Sequence, residues 1–485
     1  MKLVNHICSF GKWEYKRMCF FVLLSSLFLL FFSTTTSPIY IDEGLDSSVF
    51  KQMGLLILQG RVPYIDLFDH KGCIIYFINA LGQWVGGRTG IFILQILNLS
   101  ITVYFWDKIA SFLLGEKGRL FVILYGLFAL WEGSQFGNMT EEWSLPFISY
   151  PIYVYCKSLY SENKTVKLSD YLWIGVCVGV ISFIRLNNIA PIVGFLGYML
   201  GDLLFKRKIQ ELVIDLFYLF IGALLPIIPC IFYFYVMAGT KGVESLWLGT
   251  FLFNMKYFAR NVDPAFSVVL RFYIPVLLMA GVSLLCAIKK KEIFLPLALS
   301  YIVTLLTQGK SLYFHYLITF VPLLVLSFAL IFHSKNRWYM TLAVIAFVYS
   351  SSSAIGRCII HLSDESSLYE KQSLFGKVFS KIPVEDRDSI WNYNGSPSYY
   401  QYVGIVPCNR IILHFQLQIS PTLFKEEYMK LQKVSPKWIL YFGQDISEIE
   451  NKIDSEFIEQ NYILYASETF EEESKVFLYK RIVKN

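Results

Sequence analysis

Tyr40–Gly72 reads YIDEGLDSSVFKQMGLLILQGRVPYIDLFDHKG and lies between two strongly apolar stretches. It sets Asp42, Glu43, Asp46, Asp66, Asp69, His70 and Lys71 against the face of a membrane, in a chain that otherwise reads as lipid-embedded. Ionisable groups are costly at membrane depth and are kept there for a task, so this cluster is the first place to look for chemistry.

The surroundings support that reading. The chain has 485 residues, of which 55% are hydrophobic and only 16% charged, and its mean hydropathy is +0.49. A mainly soluble protein is excluded. About eleven stretches near the length that crosses roughly 30 Å of hydrocarbon recur between Phe20 and Tyr349. They are too long for buried strands, and none alternates like an outer-membrane barrel.

Orientation follows from the basic residues between the spans. Lys12, Lys16 and Arg17 precede the first span and put the N-terminus in the cytoplasm. The same side receives Lys117 with Arg119, Lys157 with Lys164 and Lys167, Lys206 to Lys208, Lys289 to Lys291, and Lys335 with Arg337. The opposite, outer set holds the Tyr40–Gly72 loop, GSQFGNMTEEW, RLNN, the Gly239–Phe266 loop and QGKSLYFHY. The first segment, Cys19–Ser33, has no small-residue cleavage site after it and reads as an uncleaved anchor. A net charge of +6 spread over cytoplasmic loops is the positive-inside pattern and excludes a nucleic-acid partner. Among nine cysteines there is neither metal-site spacing nor a disulfide framework.

After about Gly356 charges become frequent. Strand-like runs DSIWNY, NRIILHF, KWILYF and KVFLYK alternate with polar stretches such as PTLFKEEYMKLQK, the pattern of a small α/β domain. An odd number of spans places it outside. The expected fold is an α-helical polytopic membrane protein of about eleven transmembrane helices, with interfacial helices in the first outer loop. Residues 1–355 form its membrane domain and residues 356–485 an extracytoplasmic α/β domain.

Within the first outer loop the spacing of Val49, Phe50, Met53 and Ile57 predicts an amphipathic helix over Asp46–Gln59. Asp46 or a following serine caps it and Gly60 ends it. A second half-buried stretch, Cys73–Val85, carries Asn79 and Gln83. Joined by PYIDLFDHKG, two such interfacial helices would make a rigid rim around the loop carboxylates.

Each candidate has two readings. Asp46 is either an N-cap or a general base for a sugar or lipid hydroxyl at the membrane surface. Asp69, His70 and Lys71 make either a wet turn or a polar wall for phosphate or sugar, with Lys71 as point charge and Asp69 orienting His70. Glu141 and Glu142 either fill a first helical turn capped by Asn138 or Thr140, or grip an acceptor or leaving group. Arg185, followed by Asn187 and Asn188, either snorkels or forks onto a phosphate. Lys310, Tyr313, His315 and Tyr316 are either an aromatic belt or an anion site. Carboxylates from two loops and cations from three others suit transfer from an anionic lipid-linked donor, one set activating a hydroxyl and the other holding a departing phosphate.

The order of these elements carries a resemblance. DSSVFKQMGLLILQGRVPYIDLFDHKG, with an acidic residue opening a helix, then G-x-x-P-Y and D-H-K-G, resembles the polytopic GT-C glycosyltransferases. Their relatives include protein O-mannosyltransferases, the aminoarabinose transferase of lipid A and bacterial cell-surface polysaccharide transferases. TEEW and GKSLYFHYLITFVPLL extend the likeness over about residues 1 to 350. The resemblance implies an inverting transfer from a polyprenyl-phosphate sugar to an outer-face acceptor: a surface polysaccharide, teichoic acid or glycolipid. Asp46 then matches the catalytic acid position, Glu142 or Glu141 the second acidic site, and Arg185, Lys310 and His315 the donor-phosphate contacts. Cys73 stands where a proline is usual and Ser47 where many relatives have Glu, so the Asp42/Glu43 pair competes for the role of base. Because protein cations can hold the leaving phosphate, no metal or other cofactor is expected. A polysaccharide polymerase or ligase would share the topology, with its cationic site in the Gly239–Phe266 loop at Lys241, Lys256 and Arg260. A flippase would need paired charges deep inside spans, where Asp215 is one of few.

Overall fold

A computed structural model describes residues 12–133, 137–160, 166–258, 273–308, 313–405, 407–410, 412, 429, 435–443, 452–471 and 474–482. Lys310, Arg260, Lys164, most of NRIILHF and almost all of PTLFKEEYMKLQK lie outside the described residues. The chain divides into two compact units, one of residues 1–39, 88–232 and 261–360, the other of residues 40–87, 233–260 and 361–485.

The first unit is a bundle of helices. Six helices among the described residues are long and apolar enough to cross a membrane: Glu14–Phe32, Cys73–Ser111, Leu186–Phe205, Ile209–Lys256, His315–His333 and Arg337–Ser363. Gly118–Trp131, Leu168–Ser182 and Ile274–Ala287 are apolar but shorter. Almost every residue of the apolar stretch in His315–His333 is buried, including all of Val321–Ile331. Phe328 on it stacks on Tyr125 of the Glu116–Gly133 helix, and Val321, Val325, Val122 and Ala129 belong to the same buried cluster. Ile209–Lys256 instead leaves Phe217, Phe220 and Phe232 exposed, an apolar surface that suits lipid.

Two of the long helices are broken. Cys73–Ser111 is interrupted at Gly86 and Gly87, where Gly87 has a φ of 62° that only glycine adopts freely. Cys73–Val85 is thus a separate helix from the apolar stretch after it, as its polar residues predicted. Ile209–Trp247 is interrupted at Ala238 and Gly239. The stretch after that break, expected as a loop, is helical through Trp247, continues as a π-helical turn at Leu248–Leu252 and ends as an α-helix over Phe253–Phe258. The expectation of a loop came from the alternation of outer and basic segments, which marks where spans end but not whether the chain between them is helical.

In the second unit the first-loop helix spans Leu45–Leu58. Its cap is Gly44, not Asp46 or a serine. Asp42 accepts from the Gly44 N–H at 3.0 Å, and the Ser48 hydroxyl donates back to the Gly44 and Glu43 carbonyls. Nor does the helix show one apolar and one wet face. Burial is continuous from Ser47 to Gly54, with Lys51 and Gln52 inside, as for a helix enclosed by protein.

The described C-terminal strands are β1 (Ile390–Asn392), β2 (Trp438–Gly443), β3 (Tyr462–Glu471) and β4 (Ser474–Arg481), in the order β1-β2-β4-β3. β1 runs parallel to β2, and the other pairs are antiparallel. Trp438 and Leu440 face one core with Val378, Ile390 and Leu478. Ile439 and Tyr441 face another with Trp391, Ile458 and Tyr479. A strand covered on both faces reads as an unbroken apolar run, which is why WILYF does not alternate. β1, β2 and β4 coincide with DSIWNY, KWILYF and KVFLYK, whereas β3, with its mixed YILYASETFE, carries no clean strand signal.

Candidate functional site

In the second unit the loop Gly60–Gly72 is fastened from three directions. The Tyr64 backbone has a φ of 67°, and its hydroxyl donates to the Lys71 carbonyl at 2.7 Å. A Cβ at Gly249 in the π-helical turn would lie 2.3 Å from the Tyr64 ring, so glycine there permits the close approach. Asn254, one turn on, donates to the His70 carbonyl at 2.6 Å. Arg410 donates from Nε to the Tyr64 carbonyl at 2.7 Å and lies over the Phe68 ring, while its own carbonyl accepts from Phe68 N–H at 2.6 Å.

This clamp carries Asp69, His70 and Lys71 into the protein. None is a wet turn residue: they are 0%, 4% and 6% exposed. Asp69 Oδ1 stands 3.2 Å from His70 Nδ1 and 3.9 Å from Lys71 Nζ, and Asp69 Oδ2 accepts from the Tyr76 hydroxyl at 2.9 Å. Burial pushes the Asp69 carboxyl up, but the Lys71 charge and the His70 contacts outweigh it and hold the group well below the ordinary carboxylate range. Asp69 is therefore a fixed anion. Lys71 Nζ also sits 5.7 Å above the Phe50 ring.

Phe50 is four residues beyond Asp46 on the same helix face, so the Lys71 ammonium lies toward the side of that helix on which Asp46 stands. Asp42 is occupied in the turn before the helix. Glu43 is ion-paired with the buried Lys51. Asp46 is half-buried and, among the described residues, makes no hydrogen bond or ion pair. The first-loop carboxylates thus differ sharply in how free they are. Gln52 Nε2 donates to the Ile405 carbonyl at 3.1 Å, and Gln83 Nε2 donates to the Lys51 carbonyl at 2.5 Å.

The remaining candidates fall in the first unit. Glu141 and Glu142 open the Thr140–Tyr160 helix, and both are buried. Glu141 is ion-paired with Arg185 and accepts from the Thr140 hydroxyl at 2.9 Å. Arg185 in turn lies 4.4 Å over the Tyr316 ring. Tyr316 meets His315 edge-on, and His315 stacks on Tyr313 at 5.5 Å. Glu142 faces the other way. Its Oε2 accepts from Gln95 Nε2 at 3.2 Å, and its carbonyl accepts from Asn98 at 2.9 Å. Gln95 Oε1 accepts from Thr36 and, at 3.4 Å, from Ser33. Glu142, Gln95, Ser33 and Asn98 supply the polar lining of a cavity of about 20 Å³ whose other walls include Phe28, Phe32, Trp131 and Trp143. That is room for one or two waters.

Asn187 is exposed and donates to the Thr307 carbonyl at 3.0 Å. Its neighbour Asn188 is the one brought to the Glu141 helix, donating to Ser144 Oγ at 2.9 Å and the Thr140 carbonyl at 3.3 Å. Among the described residues no three His, Cys, Asp or Glu side chains are grouped to hold a metal ion. Sequence reasoning missed Tyr76, Asn254, Arg410, Gln95 and the pairing of Arg185 with Glu141. Tyr64 stands in the G-x-x-P-Y element and carried a signal. The others sit on apolar helices or far along the chain, where only the fold brings them in.

No family model matches the sequence, and comparison with curated proteins finds no match. Among solved structures the chain is similar to ArnT from Cupriavidus metallidurans, in a crystal structure bound to undecaprenyl phosphate. The TM-score is 0.62, over 95% of this chain and 97% of that one, at 11% identity. The shared property is the fold. With the long apolar helices, it makes this chain a membrane protein of the ArnT-like architecture.

Proposed function

We propose that the chain is a lipid-linked sugar transferase. It would move a sugar from a polyprenyl-phosphate donor onto a hydroxyl acceptor by an inverting displacement. The observation that carries this reading is fold similarity along nearly the whole chain to a protein that binds undecaprenyl phosphate. A free half-buried carboxylate at the start of a buried helix adds to it.

In this reading Asp46 accepts the proton of the acceptor hydroxyl. The oxygen attacks the anomeric carbon from the face opposite the phosphate, the bond from that carbon to the phosphate oxygen breaks, and the polyprenyl phosphate leaves with the electron pair. Asp46 suits the step because a base must be ionised and uncommitted, whereas Asp42 and Glu43 are held by the helix cap and by Lys51. Lys71, held in place by Asp69, is the cation offered to the departing phosphate in the same unit. Glu141, Glu142, Arg185 and His315 form a second polar group, and Glu142 beside its small cavity is its candidate for gripping a hydroxyl.

The test is transfer from synthetic polyprenyl-phosphate sugars to a panel of hydroxyl acceptors by the purified chain. Asp46→Asn is isosteric and should cost at least about a hundredfold in rate, the scale of general-base catalysis. Asp42→Asn keeps an acceptor oxygen for Gly44 and should stay near wild type. A near wild-type rate for Asp46→Asn would sink the assignment of the base, and no transfer from any polyprenyl-phosphate sugar would sink the donor class.

A further inference from the structure

At the opposite end of the first unit from Glu141 lies a second cluster with no part in the proposed reaction. The Glu116–Gly133 helix separates the two, being 18 residues long and therefore about 27 Å in length. At its first turn is a cavity of about 320 Å³ lined by Lys16, Arg17, Phe20, Phe21, Asp107, Glu116, Arg119, Leu120 and Ile123.

Its floor is a buried carboxylate. Asp107 is 1% exposed and ion-paired with Arg17, and its Oδ1 is 3.6 Å from Arg119 Nε. One acid therefore fixes two guanidinium groups in position. The Arg119 Nε proton and Asp107 Oδ2, both buried, have no hydrogen-bond partner among the described residues. Arg17 is further steadied over the Phe21 ring at 5.7 Å. Glu116 lies 3.7 Å from Arg119 but is largely exposed, so it is weakly coupled. Lys16 is exposed at the rim. Three cations thus face two acids, one of which is already spent on holding the arginines. The rest of the lining is apolar, and two of its residues, Phe20 and Leu120, are 44% and 41% exposed.

We infer that this cavity binds the phosphate headgroup of an anionic membrane phospholipid, with Arg17, Arg119 and Lys16 on the phosphate and Phe20 and Leu120 against the acyl chain. Paired arginines match phosphate oxygens geometrically, and basic pockets between membrane helices are sites for anionic headgroups. Free phosphate has the same chemistry at its oxygens but would leave the apolar lining without a partner.

Native mass spectrometry of the purified full chain tests this, using phosphatidylglycerol, phosphatidylcholine and inorganic phosphate as separate probes. Phosphatidylglycerol should give a saturable adduct that phosphatidylcholine does not. Lys16→Gln leaves the Asp107 core intact and should weaken that adduct roughly fivefold, the effect of removing about 1 kcal/mol of attraction per surface cation. Arg119→Gln should weaken it further, and its folding can be checked by size-exclusion. Equal binding of both lipids, an adduct indifferent to Lys16→Gln and Arg119→Gln, or binding of inorganic phosphate without the lipid would each overturn the inference.

Discussion

Replacing Asp69 by Asn probes the anchor of the candidate phosphate cation. The substitution keeps the shape of the side chain and an oxygen to accept from Tyr76, but removes the charge 3.9 Å from Lys71 Nζ and 3.2 Å from His70 Nδ1. At an effective dielectric of about 20, a pair at that separation is worth about 4 kcal/mol. Breaking a buried pair from one side generally costs about 3–5 kcal/mol, since the surviving charge stays buried. Lys71, only 6% exposed, has little water to turn to. Cys73, fully buried two residues away, is a natural reporter of local opening. Thiol labelling read at Cys73 by peptide mass spectrometry should accelerate about a hundredfold or more in Asp69→Asn, since each 1.4 kcal/mol is tenfold. Lys71→Met in the same background should then slow labelling, because the uncompensated charge is gone. Labelling unchanged in the single variant, or faster still in the double one, would refute the view of Asp69 as the counter-ion that holds Lys71 in place.

The same network sets a pH dependence. The Asp69 pKa is depressed in the fold, so its contribution to stability is complete above the unfolded value of 3.8 and is lost as pH falls below it toward the folded value. The midpoint of thermal unfolding in detergent should therefore hold down to about pH 4 and fall below it in the wild type, and Asp69→Asn should lack the part of that fall due to this group. Gly54→Ala tests the helix crossing in the same unit: a Cβ there would stand 2.8 Å from Ala80 N and from the Asn79 carbonyl carbon, both backbone atoms. Forcing the two helices apart should cost about 1–3 kcal/mol, measured as a lower midpoint of thermal unfolding in detergent.

Some of this was legible along the chain and some was not. Spans, the basic loops and the break after Val85 follow from hydropathy and polar residues, because lipid demands long apolar helices whatever their neighbours. Gly60 was visible as a helix end for a local reason, and it takes the positive φ of 73° that glycine tolerates. The cap of the Leu45–Leu58 helix was misjudged because Asp46 and Ser47 are good caps in isolation. Gly44, fastened by Asp42 and Ser48, takes that position instead. The wet turn expected at Asp69 and Lys71 failed as well: the two charges pair with each other, and remote residues, Arg410 and Asn254, fasten the loop that buries them.

By itself the sequence determined that this is a helical membrane chain, that its ionisable residues gather in the loop after the first span, and that strands follow the last one. Those are properties of composition and short-range periodicity, which do not depend on what packs where. Tertiary structure alone decided that residues 40–87, 233–260 and 361–485 form one compact unit, that Arg410 and Asn254 clamp the loop holding Lys71, and that Arg185 is given to Glu141. Tertiary structure also separated the first-loop carboxylates, tying Asp42 to the helix cap and Glu43 to Lys51. Glu141 finds Arg185 44 residues away, which no local pattern encodes, whereas Asp42 and Glu43 are tied within two and eight residues by a helix cap and a helix register that only the folded chain fixes.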